Sequence, residues 1–117
     1  MKSYRDLIVW QKSMEVVTLT YKLLKQFPED EKFGLTSQIK RSSVSVPSNI
    51  AEGYGRNYRK DYVRFLNISR GSLYEMQTQF QIGMNLKFIN ENELKEIKVL
   101  SVEIEKMLNS LINKLKD

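Results

Sequence analysis

Tyr62-Val63-Arg64-Phe65-Leu66-Asn67-Ile68-Ser69-Arg70-Gly71-Ser72-Leu73-Tyr74-Glu75-Met76-Gln77-Thr78-Gln79-Phe80-Gln81-Ile82-Gly83 is the stretch on which the fold turns. Tyr62, Leu66, Ser69, Leu73, Met76, Phe80 and Gly83 recur in it at spacings of four and three. That period puts them on one side of an α-helix. Extended to residues 60–86, the pattern predicts a helix roughly 40 Å long at about 1.5 Å per residue. Gly71-Ser72 in its middle weakens helix propensity by up to about 1 kcal/mol, which a close approach of another helix at a small surface would offset.

Working outward, the same period recurs three more times. Residues 7–26 carry Trp10, Met14, Val17, Tyr21 and Leu24 on one stripe, with Val9, Val16 and Leu23 widening it. Phe27-Pro28 ends that helix, because proline disfavours helical geometry in the residue before it. Residues 35–53 place Leu35, Ile39, Val46 and Ile50 on one face and Val44, Pro47 and Ala51 on a second. A helix apolar on two sides needs two partners: the bundle core and, on this reading, another subunit. Pro47 lies inside this helix and predicts a kink, with the Ser43 carbonyl deprived of its donor and neighbouring serine hydroxyls available to it. Gly53-Tyr54-Gly55-Arg56-Asn57 reads as a loop. Asn90 with Glu93 reads as a capping box opening a last helix that runs to about Lys116. There Ile97, Ile104 and Leu111 repeat every seven residues, flanked by Leu94, Leu108 and Leu115. Four helices joined by short turns predict an all-α, antiparallel up-down-up-down four-helix bundle, kinked at Pro47 in its second helix. At 117 residues the chain makes one such domain.

Composition narrows the chemistry. Cysteine and histidine are both absent, which removes disulfides, thiolate catalysis, thiolate metal sites and the commonest general base. No run approaches about 18 apolar residues, so no membrane span is expected, and the amphipathic N-terminus does not read as a signal peptide. A cytoplasmic protein fits. Serines 42, 43, 45 and 48 would need a base to act as nucleophiles, and only Lys40 is near in sequence; small residues allowing tight helix packing explain them better. Glu52, Asp61 and Glu75 form no metal or paired-carboxylate motif. No catalytic residue, cofactor or metal site is expected.

Charge is more informative. Between Lys40 and Arg70 lie seven basic residues and two acidic ones, whereas the rest of the chain holds twelve of each sign. The whole excess of +5 therefore sits in the middle third. Arg41, Arg56, Arg59, Lys60, Arg64 and Arg70 are the candidate nucleic-acid contacts, arginine being suited to bidentate phosphate binding. Gly53-Tyr54-Gly55-Arg56 lacks the lysine and strand of a P-loop but suits generic anion contact before a helix N-terminus. Tyr54, Tyr58 and Tyr62 interleave with the charges, as stacking on single-stranded RNA or DNA requires. The competing reading makes these tyrosines interfacial or core-capping and the charges a solvated, salt-bridged face.

Leu7-Ile8-Val9-Trp10-Gln11-Lys12, Phe27-Pro28, Phe33-Gly34-Leu35, Gln38-Ile39-Lys40-Arg41, Ser45-Val46-Pro47-Ser48-Asn49-Ile50-Ala51-Glu52-Gly53 and Gly71-Ser72-Leu73-Tyr74-Glu75 follow one another in that order. This set resembles the bacterial four-helix bundle family of the 23S rRNA intervening-sequence proteins, to which accessory variability determinant proteins of retroelements look related. The resemblance implies a ring-like homopentamer without catalytic activity. It also assigns Arg41, Val44, Pro47, Asn49, Ala51, Glu52, Gly53 and Glu75 to packing or assembly. Two functions are then in play: an oligomeric scaffold that contacts RNA or DNA, and an adaptor for another protein.

Overall fold

A computed structural model describes residues 3–116. After a single 3-10 turn at Tyr4–Asp6, the chain forms α1 (Ile8–Leu24), α2 (Leu35–Tyr54), α3 (Arg59–Asn85) and α4 (Glu91–Lys116); a second 3-10 turn, Glu29–Glu31, joins α1 to α2. Among the described residues there is no strand. Each helix packs on the next and α4 closes on α1, giving the antiparallel four-helix bundle, 44 × 25 × 21 Å. The helices run alternately up and down. The start of α1, the α2–α3 turn and the end of α4 therefore share one end of the bundle.

The core is a continuous stack of aliphatic and aromatic side chains from all four helices. On α3 the expected stripe is the buried one: Leu66, Ser69, Leu73, Met76, Phe80 and Gly83 all face inward. On α1 the expectation needs correcting. Val9, Ser13, Val16, Thr20 and Leu23 are buried, while Met14 and Tyr21 are exposed. Ser13 and Thr20 hide the true stripe from an apolar count. Ser13 is tolerated inside because its hydroxyl donates to the Val9 carbonyl one turn back at 2.7 Å. Trp10 is half-covered by Tyr4, edge-on at 5.2 Å. On α4 the buried series passes from Ile97 and Ile104 to Ile112, leaving Leu111 half-buried. After Ile104 the buried residues step by four, through Leu108 to Ile112, so the strict seven-residue repeat holds only for Ile97 and Ile104.

Between α2 and α3 the packing is closest and polar. Ser42 donates to the Gln79 side chain at 2.8 Å. Ser45 and Ser72 share a hydrogen bond of 2.7 Å, and Asn49 donates to both the carbonyl and the hydroxyl of Ser45. Ser69 donates to the Val46 carbonyl at 2.8 Å. A Cβ added at Gly53 would lie 2.8 Å from Phe65 Cβ, so only glycine lets the two helices meet there. The role expected of Gly71 thus belongs to Gly53 and Ser72; Gly71 itself is exposed, with nothing within 4 Å of an added Cβ. α2 continues unbroken through Pro47, which is buried and not on the outer patch with Val44. Ser42, Ser43 and Ser45 direct their hydroxyls elsewhere: Ser43, for one, donates to the Lys40 carbonyl at 3.0 Å.

The helix ends are well built. Glu31 accepts from the Leu35 N–H at 3.0 Å where α2 begins. Asn90 and Glu93 form the expected reciprocal box, at 2.8 and 3.0 Å. α3 ends in a Schellman motif, Phe88 N–H to the Gly83 carbonyl and Lys87 N–H to the Met84 carbonyl, both 2.9 Å. Lys87 occupies its left-handed position at φ 65°. None of the helices is long and apolar enough to cross a membrane.

Candidate functional site

The α2–α3 turn gathers four of the six candidate basic residues. α2 extends one residue past the expected loop start and ends at Tyr54, and α3 begins at Arg59, so the exposed connection is only residues 55–58. Arg56 at its start and Arg64 on the second turn of α3 both stack on Phe65, 4.7 and 4.5 Å from the ring centre. Cation–π contact of this kind holds a guanidinium in place while leaving its N–H groups free to bind. Arg56 also lies 3.5 Å from Glu52 one turn back, a half-exposed pair of small energetic value. Arg59 and Lys60 occupy the first turn of α3, whose N-cap residue Tyr58 makes no side-chain cap. The positive end of the helix dipole adds to the potential of the two side chains. Asp61 is the acidic residue of the same turn.

The three tyrosines separate. Tyr54 and Tyr62 meet edge-on at 6.1 Å and close the turn against the core. Burial pushes the Tyr62 phenol above its ordinary value, with Tyr54 adding a smaller push in the same direction. Tyr58 is 72% exposed and stands among the charges.

Arg41 and Arg70 lie apart from this group. Arg41 is fifteen residues before Arg56 on α2, about 22 Å along the axis. It lines a shallow polar groove between α2 and α3 with Ser42, Ser45, Ser72, Gln79 and Glu75. Arg70 turns toward α4 and donates to Asn109 at 2.8 Å and Asn67 at 2.7 Å. Of the positions tied to packing or assembly, Pro47 and Gly53 are buried, Asn49 and Ala51 half-buried, and Val44, Glu52 and Glu75 exposed. Lys40 stacks on Tyr21 of α1 at 5.1 Å, and the hydroxyls of Ser42, Ser43 and Ser45 are engaged with carbonyls or polar neighbours on α2 and α3. Phe65 was not among the expected site residues. Its signal was its position between Arg56, Arg64 and Gly53, which only the folded turn brings together.

Comparison with known proteins agrees with this architecture. No curated protein is detectably similar. A solved structure described as a protein of unknown function from the S23 ribosomal protein family of Bacteroides thetaiotaomicron VPI-5482 is 29% identical. It superposes with a TM-score of 0.83 over 90% of this chain and 98% of that one. The sequence model of the 23S rRNA-intervening sequence proteins matches residues 5–110. That match spans all of α1, α2 and α3, the serine-lined seam and most of α4, and on it the chain belongs to the 23S rRNA-intervening sequence protein family.

Proposed function

We propose that this protein is a non-enzymatic oligomeric scaffold that binds single-stranded RNA or DNA with the α2–α3 end of its bundle. The observation that carries the reading is the pair of guanidiniums, Arg56 and Arg64, fixed on one phenylalanine ring beside Arg59, Lys60 and the exposed Tyr58. Fixed cations track a phosphate backbone, and an exposed aromatic face stacks a base whatever the sequence, since every base has a π-face. Arg41 would contribute only to a strand long enough to run up α2, and Arg70 holds the α3–α4 seam. The test is a salt titration with a fluorescent single-stranded RNA. Affinity falls steeply from 50 to 200 mM salt, and replacing Arg56, Arg59 and Arg64 together by alanine lowers both the affinity and the salt slope. Absence of binding at low salt, or a triple variant that binds unchanged, refutes the reading.

A separate observation supports assembly. Lys40 lies over Tyr21, so the next turns of the antiparallel pair bring Val44 toward Val17 and Met14 on the outer side of α1 and α2. Val44, Met14 and Tyr21 are exposed there. A second copy, in the proposed homopentamer, covers this flank and repeats the modest basic end around a ring. Repetition raises avidity when one strand spans several copies. The adaptor reading uses the same flank for a different protein and leaves the arginine triple variant fully active in partner recovery.

A further inference from the structure

The groove between α2 and α3 holds charges and hydrogens that the fold leaves unused. Arg41 of α2 and Glu75 of α3 both line it, and both are exposed. Among the described residues neither has an ion-pair partner, although each carries the charge the other needs. The floor between them is richer in donors than in acceptors. Gln79 is 7% exposed, and its side-chain carbonyl is taken by Ser42 at 2.8 Å. Its amide nitrogen has no partner, so two N–H groups are unspent. That nitrogen is not sealed in: among the described residues, the unpartnered side-chain atoms that are fully enclosed belong to Thr20, Thr36 and Ser101. Gln79 meets the surface at this groove. Ser45 and Ser72 add one more hydrogen. They share a single hydrogen bond of 2.7 Å, and Asn49 donates to Ser45 as well, at 2.9 Å. Two hydroxyls own two hydrogens; the shared bond uses one, and the other has no acceptor.

We propose that this groove binds a small zwitterion of the α-amino-acid type, its carboxylate held by Arg41 and the floor hydrogens and its ammonium by Glu75. The carboxylate follows from the surplus of donors. A guanidinium, an amide and a hydroxyl all offer hydrogens, an oxyanion accepts them, and a carboxylate matches the guanidinium fork. Glu75 sets the second requirement. Its charge on the same rim repels a phosphate dianion or a bare carboxylate and attracts an ammonium, so a ligand carrying both signs is favoured over either alone. Size agrees. The groove holds about 200 Å³, below the ~300 Å³ at which drug-sized pockets begin, which suits a molecule of a few heavy atoms. The two charges also keep a fixed spacing at the level of the backbone, because Ser42–Gln79, Ser45–Ser72 and Ser69–Val46 hydrogen bonds tie α2 to α3 along this seam. Arg41 is about 22 Å along α2 from Arg56, so the site stands whether or not the basic end binds nucleic acid.

The experiment uses the full chain labelled with nitrogen-15, at constant pH and ionic strength, and follows the side-chain amide of Gln79. Gln81 is the internal control, since its side chain donates to Asn85 and it borders the α4 side of the same helix. Glycine is the probe; acetate and methylammonium, which carry one of its charges each, are the comparisons. Glycine shifts the Gln79 amide saturably and leaves Gln81 unmoved, while acetate and methylammonium bind at least tenfold more weakly. Arg41→Ala abolishes the glycine response. Glu75→Gln weakens glycine at least threefold and leaves acetate no weaker than before. Both substituted side chains are exposed, so each variant keeps the bundle. A shift that does not saturate, equal movement of Gln81, acetate that matches glycine on the parent chain, or glycine binding unaltered by Glu75→Gln overturns the proposal.

Discussion

Gly53 and Gly71 both sit in helices, and the structure gives them opposite tasks. An added methyl at Gly53 meets Phe65 Cβ at 2.8 Å, Tyr62 Cδ1 at 3.0 Å and the Tyr62 carbonyl at 3.2 Å. Backbone cannot swing aside as a flexible side chain can, so Gly53→Ala should destabilise by about 1–3 kcal/mol. Gly71→Ala meets open space in mid-helix and should stabilise by about 0.5–1 kcal/mol. Urea midpoints of the two variants against the parent check both signs. Tyr62 makes a pH prediction. Its phenol is held above the ordinary value chiefly by burial, so the folded chain binds that proton more tightly than the unfolded one. The resulting stability is complete below about pH 10, where both states are neutral, and is lost as pH rises from there through the folded value. Tyr62→Phe should therefore flatten the alkaline decline in urea stability between pH 9 and 11 relative to the parent.

Helix ends divide into those written in side chains and those written in backbone. The start of α4 was legible because Asn90 and Glu93 announce their own reciprocal bonds. The end of α3 was placed to within a residue, but its left-handed stop was not foreseen, since Lys87 stands where glycine usually does and nothing in a lysine signals φ 65°. Lys87→Gly should relieve that strain and stabilise by about 1 kcal/mol, read as a higher melting temperature. The faces of α1 and α4 were read in part: Val9, Val16, Leu23 and Leu24 of α1 and Leu94, Ile97, Ile104 and Leu108 of α4 are buried as expected, while Met14 and Tyr21 are exposed and Leu111 half-buried. Ser13, whose hydroxyl bonds its own helix, and Thr20 are both buried, and an apolar tally overlooks them. A strict seven-residue count also overlooks the four-residue steps from Ile104 through Leu108 to Ile112 that leave Leu111 half-buried. α3 was read nearly correctly along its length because Leu66, Leu73, Met76 and Phe80 mark its inward face, with only the buried Gln79 missed. The candidate site was half legible: charge density marked the region, but only the fold shows that Arg56 and Arg64 share Phe65 while Arg70 belongs to Asn67 and Asn109.

At the level of the whole molecule, the bundle buries its core on four sides yet leaves Val44, Met14 and Tyr21 outside it. If a second copy covers them, the 13.8 kDa chain sediments as a multimer at micromolar concentration. Val44→Arg then shifts it to the monomer with its helical content intact, because Val44 is not part of the core. A parent that stays monomeric across concentrations removes the assembly reading and leaves the flank to some other partner. The alternating course of the helices has a practical corollary. Ser3 and Lys116 lie at the same end of the bundle as Arg56 and Arg64, so a bulky label fixed near either one stands over the charged end. The hairpin bends at the far end, around residues 32–34 and 87–90, are the places to tether a fluorophore that must not disturb it.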